Sequence, residues 1–287
     1  MTLTWELDFY SRPIVDETGK KVWELVLCES ASTIDTDLAS LFRYSQYCPS
    51  TQVNSLWLQE AIQTAIDQRG KPPTQVRFFR RQMNNMITKA CKDLGLGAKI
   101  SRRTVTLYHW LQDRYVTVYP QHPGYQAAPM PSVQYNPERP NPLPDALQGD
   151  RWSLVNLTVA DFQDMGEWDI GFEDAFPLAP LGLNPDTPIP GLIIFSERAM
   201  ALAAWMSGLE LGFLTVETKA PASLVLETGA SDRWILANLV NGDLVAEAQR
   251  FATAKAQAQN VHFLAIQAST PSESFAGFWL LQELTGL

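Results

Sequence analysis

Trp5-Glu-Leu-Asp-Phe-Tyr10 and Lys21-Val-Trp-Glu-Leu-Val-Leu-Cys28, separated by Asp16-Glu-Thr-Gly19, decide the fold class. Both runs are rich in aromatic and β-branched residues, and the spacer ends on a glycine that can take positive φ, so they are expected to be paired strands of a hairpin. Beyond them, a helix is expected at about 53–67, a strand at 75–79, a helix at about 81–93 stopped by Gly95, and short strands over about 98–107. The stretch from Pro120 to Pro144 carries eight prolines and no apolar periodicity, which marks an extended linker. After it come expected strands at 152–157 and 192–195 and a helix at 197–207. Strands near 213–217, 223–227 and 234–239 follow, then a helix at 244–258, a strand at 261–266 and a closing helix at 273–284. The expected fold is therefore α/β: two tandem α/β units, each a mixed sheet with flanking helices. The boundaries fall at 1–119 for the first domain, 120–145 for the linker and 146–287 for the second domain.

The chain has 287 residues, 46% hydrophobic and 18% charged, enough to bury a core without disulfides or metals. No run approaches the roughly 20 apolar residues needed to span a bilayer, so a soluble chain without membrane insertion is expected. Met1-Thr2-Leu3-Thr4-Trp5-Glu6 has neither signal-peptide nor transit-peptide character, and synthesis and action in one compartment are expected. Cys28, Cys48 and Cys91 are odd in number and lack C-x-x-C spacing, which fits a reducing cytoplasm. His109, His122 and His262 are scattered, giving no zinc-finger spacing, no HExxH and no imidazole beside a nucleophile.

Charge divides the chain. Net charge is −9, yet residues 1–120 hold 15 Lys/Arg against 12 Asp/Glu, while the remainder holds 7 against 19. Between Arg69 and Arg114 lie eleven basic residues and two acids, Asp93 and Asp113. Within this island Arg81, Asn85, Thr88 and Lys92 share one helical face, and Met83, Ile87, Ala90, Cys91 and Leu94 another. Basic donors and amides on one face suit phosphates and base edges, with Lys89, Arg102 and Arg103 extending the field and Arg80, Phe78 or Phe79 offering stacking planes. The plainer reading is a solvated helix face with both phenylalanines in the core. Trp57 and Trp279 have the same two readings, a base-stacking ring or a core ring among Leu58, Ile62, Phe275 and Leu284.

Other constellations carry less. Glu6 with Asp8, Asp16 with Glu17, and the cluster Glu167, Asp169, Glu173 and Asp174 invite a metal-dependent nuclease reading. Glu24-Leu-Val, however, lacks the Lys two residues on that such a site uses. Gly95-Leu-Gly-Ala-Lys99 lacks the third glycine of a dinucleotide loop and runs from helix to strand, so it reads as a helix cap. No Walker A string or G-x-S-x-G elbow is present, and neither an enzyme nor a cofactor is expected. There is also an internal echo. Phe78, Arg81, Met83, Leu94 and Gly95 match Phe195, Arg198, Met200, Leu211 and Gly212 in spacing, and Val22 to Leu27 with Trp57-Leu-Gln-Glu60 resembles Val261 to Ile266 with Trp279-Leu-Leu-Gln-Glu283. Related, permuted units and chance likeness between amphipathic segments are both open.

Four strings, Trp5-Glu-Leu-Asp-Phe-Tyr-Ser-Arg-Pro13, Phe42-Arg-Tyr-Ser-Gln-Tyr-Cys-Pro49, Phe78-Phe-Arg-Arg-Gln-Met-Asn-Asn-Met86 and Phe275-Ala-Gly-Phe-Trp-Leu-Leu281, closely resemble the Tab-two family of cyanobacteria and chloroplasts. The resemblance implies an RNA-binding factor for translation and biogenesis of photosystem reaction-centre proteins, chiefly of photosystem I. Its partners would be the single-stranded leader RNA of a photosystem subunit message together with translation or assembly proteins. It implies a cyanobacterial, cytoplasmic member, with the chloroplast stroma as the place of plant relatives. A Trp-Leu-Leu motif implicated in RNA binding in that family corresponds to Trp279, Leu280 and Leu281. The expected RNA-binding set is thus Arg80, Arg81, Asn85, Lys89, Lys92, Arg102, Arg103 and this tripeptide. The runner-up is a protein-binding photosystem assembly factor without direct RNA recognition, and a nuclease-like metal-dependent enzyme is the third reading.

Overall fold

The structure, a computed structural model, describes residues 3–133 and 138–284. The chain divides into two compact units. The first comprises the described residues of 1–30, 38–134 and 284–287, and the second those of 31–37 and 135–283.

In the first unit, β1 (Thr4–Val15), β2 (Lys21–Glu29) and β3 (Arg43–Cys48) form an antiparallel meander. α1 (Ser55–Arg69), β4 (Gln75–Phe78), α2 (Asn84–Asp93), β5 (Gly97–Ile100) and α3 (Val105–Thr117) follow. The sheet order is β3-β2-β1-β4-β5, with β4 parallel to both β1 and β5. The β1–β2 hairpin closes as its sequence demands. The Asp16 carboxylate accepts the Thr18 and Lys20 N–H groups, and Gly19 takes a φ of +79°. Period-two alternation then sorts β1. Trp5, Leu7 and Phe9 join the core that α1 and α2 close with Leu58, Ile62, Ile87 and Cys91, while Glu6 and Asp8 face α3. α1 starts where the Asn54 side chain accepts the Trp57 N–H, and ends at Gly70 in the left-handed region.

The second unit holds β6 (Asn141–Pro142), β7 (Arg151–Thr158), β8 (Ile170–Asp174), β9 (Pro188–Phe195), α4 (Ala199–Ser207), β10 (Leu211–Glu217) and β11 (Ser223–Thr228). It continues with β12 (Asp232–Asn238), α5 (Gly242–Gln257), β13 (Val261–Gln267) and β14 (Phe275–Gln282). These strands divide between two mixed sheets, β10-β11-β12-β6 and β7-β9-β13-β14-β8. Leu192, Leu264, Trp279 and Leu281 of the larger sheet meet Leu214, Leu224 and Leu226 of the smaller one, together with Leu202 and Met206 of α4. The α/β class, with mixed sheets and flanking helices in both units, is as expected. The proline-rich segment is shared between the units: Tyr125 bridges to Ile14 in the first, β6 pairs with β12 in the second, and residues 134–137 of it lie outside the described residues.

Two expectations are corrected. The strand expected to run to Leu107 ends at Ile100, and Val105 opens α3. The stretch is rich in strand formers, but Leu107 and Leu111 recur at helical spacing and are both fully buried, so burial of that stripe overrides local preference. The closing helix expected at 273–284 is strand β14, hydrogen-bonded to β13 on one side and β8 on the other. With both faces covered, its apolar residues run on without alternation, and a run of that kind carries no period by which helix and strand are told apart. The echo between Trp57 and Trp279 accordingly relates a helix to a strand. A different likeness exists in topology. An antiparallel pair with a parallel third strand recurs as β2-β1-β4 and as β14-β13-β9.

Candidate nucleic-acid interface

α2 carries the face that the sequence singles out. Ile87, Ala90 and Cys91 of α2, with Met83 of the 3-10 turn before it, are buried against the sheet, and Leu94 is half-buried. Asn85, Thr88, Lys89 and Lys92 are exposed, and Arg81, in that turn, is half-buried. Lys89 reaches Asp93 at 2.8 Å, but both groups stand in water, so the pair holds the ammonium weakly and leaves it available to a phosphate.

Arg80, Arg102 and Arg103 lie elsewhere, at 1%, 8% and 6% exposure. Arg80 Nε donates to Asp8 Oδ1 at 2.6 Å, Nη1 donates to the Pro131 carbonyl at 3.2 Å, and the guanidinium sits 4.0 Å from the centre of the Tyr10 ring. Phe78 and Phe79 are buried as well. These residues are therefore not part of the exposed face. Arg80 ties the start of the α2 segment to β1.

Asp8 belongs to a buried ionic layer between the sheet and α3. Arg12 spans two carboxylates, with Nη1 at 2.7 Å from Asp8 Oδ2 and Nε at 2.9 Å from Glu24 Oε2. Glu24 also accepts from Arg114 of α3 and, at 2.7 Å, from the Tyr119 hydroxyl. Burial pushes the Asp8 carboxyl up, but Arg80 and Arg12 outweigh it and hold the group below the usual carboxylate range. In sequence this layer was signalled only by charges inside strand patterns, Asp8 and Glu24. Pairing them with Arg12, Arg80 and Arg114, up to 90 residues away, needed the fold.

Glu6 behaves differently. Its carboxylate accepts from Ser30 Oγ at 2.6 Å and from the Leu107 N–H, in the first turn of α3, at 2.7 Å. Burial dominates and raises its pKa from 4.5 to about 7, against the lowering effects of those two bonds and of Arg77 and Arg103. The unfolded chain therefore releases this proton near 4.5 and the folded chain near 7. Stability from this group is fully present below the lower value and is lost as pH rises through the upper one. Glu6→Gln should flatten the fall in unfolding free energy between about pH 5 and about pH 8 by about 2–3 kcal/mol, read by urea denaturation at each pH. An unchanged slope would contradict the assignment.

Trp279, Leu280 and Leu281 lie in the middle of β14 at 3%, 0% and 0% exposure. The Trp279 ring lies against Gly277 so closely that a Cβ there would fall 2.3 Å from it. Their place is the core of the second unit. Trp57 is half-buried and stacked on Phe9, with ring centroids 5.4 Å apart. In the second unit Glu167, Asp169 and Glu173 are exposed and Asp174 half-buried, and burial together with Asp174 and Asp35 raises the Glu173 pKa. Among the described residues no group of three or more His, Cys, Asp or Glu side chains is placed to hold a metal ion. Nor, among them, is any helix long and apolar enough to cross a membrane.

Comparison with known proteins bears on both units. The family model described as RNA-binding protein Tab2/Atab2 N terminal matches residues 4–114, and that described as RNA-binding protein Tab2/Atab2, C-terminal domain, matches residues 130–282. The chain is 40% identical to the Protein TAB2 homolog, chloroplastic, of Zea mays, over 98% of this chain and 71% of that protein. It is 38% identical to the protein of the same description from Arabidopsis thaliana, over 98% of this chain and 74% of that one.

Proposed function

Because the chain belongs to the Tab2/Atab2 RNA-binding family, we propose that it is a non-catalytic RNA-binding factor supporting translation and biogenesis of photosystem reaction-centre proteins, chiefly those of photosystem I. Its ligand is the single-stranded leader of a photosystem subunit message. It works in the compartment where that message is translated, the cytoplasm of a cyanobacterium or the stroma for plant relatives. The observation that carries this reading is the exposed face of α2, where Asn85, Lys89 and Lys92 stand clear of the core on the one strongly basic segment of an acidic chain. Phosphates recruit such cations and release their counterions. The acidic second unit stays free for translation or assembly proteins.

A nuclease reading has no support from the acids nearest to it. Asp8 and Glu24 are committed to Arg12, Arg80 and Arg114, so their charge is already neutralised and sealed from water.

Reversing two charges tests the assignment. Lys89→Glu with Lys92→Glu should weaken binding to leader RNA by about 1–3 kcal/mol in total, with the melting temperature nearly unchanged because both side chains are exposed. Affinity lost only in company with the fold would overturn the role of this face. It would favour a protein-binding assembly factor.

A further inference from the structure

α3 packs chiefly on β1 and β2 and meets the edge strand β3 through its Trp110 and Arg114 side chains. The β3 strip beside it keeps its own side chains exposed. Along the edge strand β3, Arg43, Ser45 and Tyr47 all point to the α3 side, opposite Cys28, Val26 and Glu24 of β2, and all three are exposed. Tyr47 is 40% exposed, unusual for a large aromatic side chain on a strand. The strip is bordered by rings. The Arg43 guanidinium lies 5.5 Å from the centre of the half-buried Trp110 ring, and its Nη2 donates to the Leu38 carbonyl at 3.4 Å. Tyr47 meets the edge of His122 at 5.9 Å between centroids. A guanidinium laid on an indole offers its other face as a flat, charged stacking plane, and the phenol offers a second one on the same side of the strand. Four residues of extended chain set the two about 13–14 Å apart, a span that an extended polynucleotide covers in a few nucleotides.

The charge beneath the strip has the sign that a polyanion requires. In the ionic layer, Asp8 and Glu24 are answered by three guanidinium groups, those of Arg12, Arg80 and Arg114, which leaves an excess positive charge at the Tyr47 end of the strip, where Tyr47 lies opposite Glu24. We propose that this open strip, Arg43, Ser45 and Tyr47 with the Trp110 border, is a stacking surface for unpaired RNA bases, on the sheet face opposite α2. The inference rests on the RNA-binding reading above and deepens it. α2 holds phosphates without regard to base pairing, whereas the strip accepts only bases freed from a duplex, because paired bases hide their faces in the stack.

The test uses the full chain, an unstructured polyuridine oligonucleotide and an RNA duplex, with binding read by fluorescence anisotropy. Tyr47→Ala should weaken polyuridine binding about tenfold, while Tyr47→Phe, which keeps the ring, stays within about twofold of the parent and duplex binding is unchanged. Arg43→Ala repeats the test at an exposed side chain, should Tyr47→Ala lower the melting temperature. Parent-like polyuridine binding by both alanine variants, with the Lys89/Lys92 reversal still weakening it, would overturn the stacking surface and leave the RNA-binding reading standing. Failure of the parent chain to bind either RNA would overturn both.

Discussion

Replacement of Arg12 by methionine should destabilise the first unit by about 3–5 kcal/mol, read as a fall in its urea midpoint at neutral pH. The side chain is fully buried and serves two acids at once, Asp8 through Nη1 and Glu24 through Nε, with a third bond from Nη2 to the Glu24 carbonyl at 3.4 Å. Methionine fills much of the volume but strips buried Asp8 Oδ2 of its donor and takes one donor from Glu24, and buried carboxylate oxygens that lose charged donors keep their desolvation cost. Lysine should rescue little, since a compact ammonium cannot span two carboxylates as a planar fork does. A midpoint within experimental error of the parent would show that the layer is dispensable. The expected loss has a functional side: Asp8 also holds Arg80, which stands at the entry to the α2 segment, so a loosened layer should blur the geometry of the basic face.

Trp279→Ala should cost a similar amount, about 3–5 kcal/mol, but in the second unit. The ring is 3% exposed in a core shared with Leu281, Leu264 and Leu202, and its loss leaves a cavity beside Gly277. RNA affinity per folded molecule should be unchanged, since the side chain has no path to a ligand while β14 is paired on both sides. This separates two explanations of any loss of RNA binding on changing the Trp-Leu-Leu segment. Binding that tracks the melting curve means the tripeptide is structural. Lost affinity in a variant that melts like the parent would mean that these residues reach RNA directly, and would contradict the buried placement.

The fold class could be read from the hairpin of β1 and β2, because alternation, a turn-forming Asp16 and the positive φ of Gly19 all agree. The apolar and polar faces of α2 were legible for the same reason: a 3.6-residue period survives wherever one side of a helix is wet. Legibility ended where both faces of an element are covered. β14 carries no period, and α3 is written in residues that prefer strands, so each took its form from tertiary pairing rather than from local preference. The candidate site divided along the same line. Asn85, Lys89 and Lys92 stand where helical geometry puts them. Arg80, Arg102 and Arg103 bear the same charge in the same island, but they are buried, and sequence alone does not tell a guanidinium aimed at water from one aimed at a buried carboxylate. The open strip of β3 was invisible in sequence for a related reason: its exposure depends on where α3 lies on the sheet.

The central claim is that the exposed basic face of an otherwise acidic chain selects a photosystem leader RNA. The most direct measurement is the affinity of the purified full chain for a photosystem I leader RNA, with scrambled RNA as competitor, across a salt titration. The account predicts that leader is preferred over scrambled RNA, and that the logarithm of affinity falls with the logarithm of salt with a slope of about −3 to −4, as about four to six phosphate contacts require. It also predicts that the Lys89/Lys92 reversal, which removes two contacts, reduces that slope by about 1.4. Binding blind to sequence, or no binding at all, would contradict it.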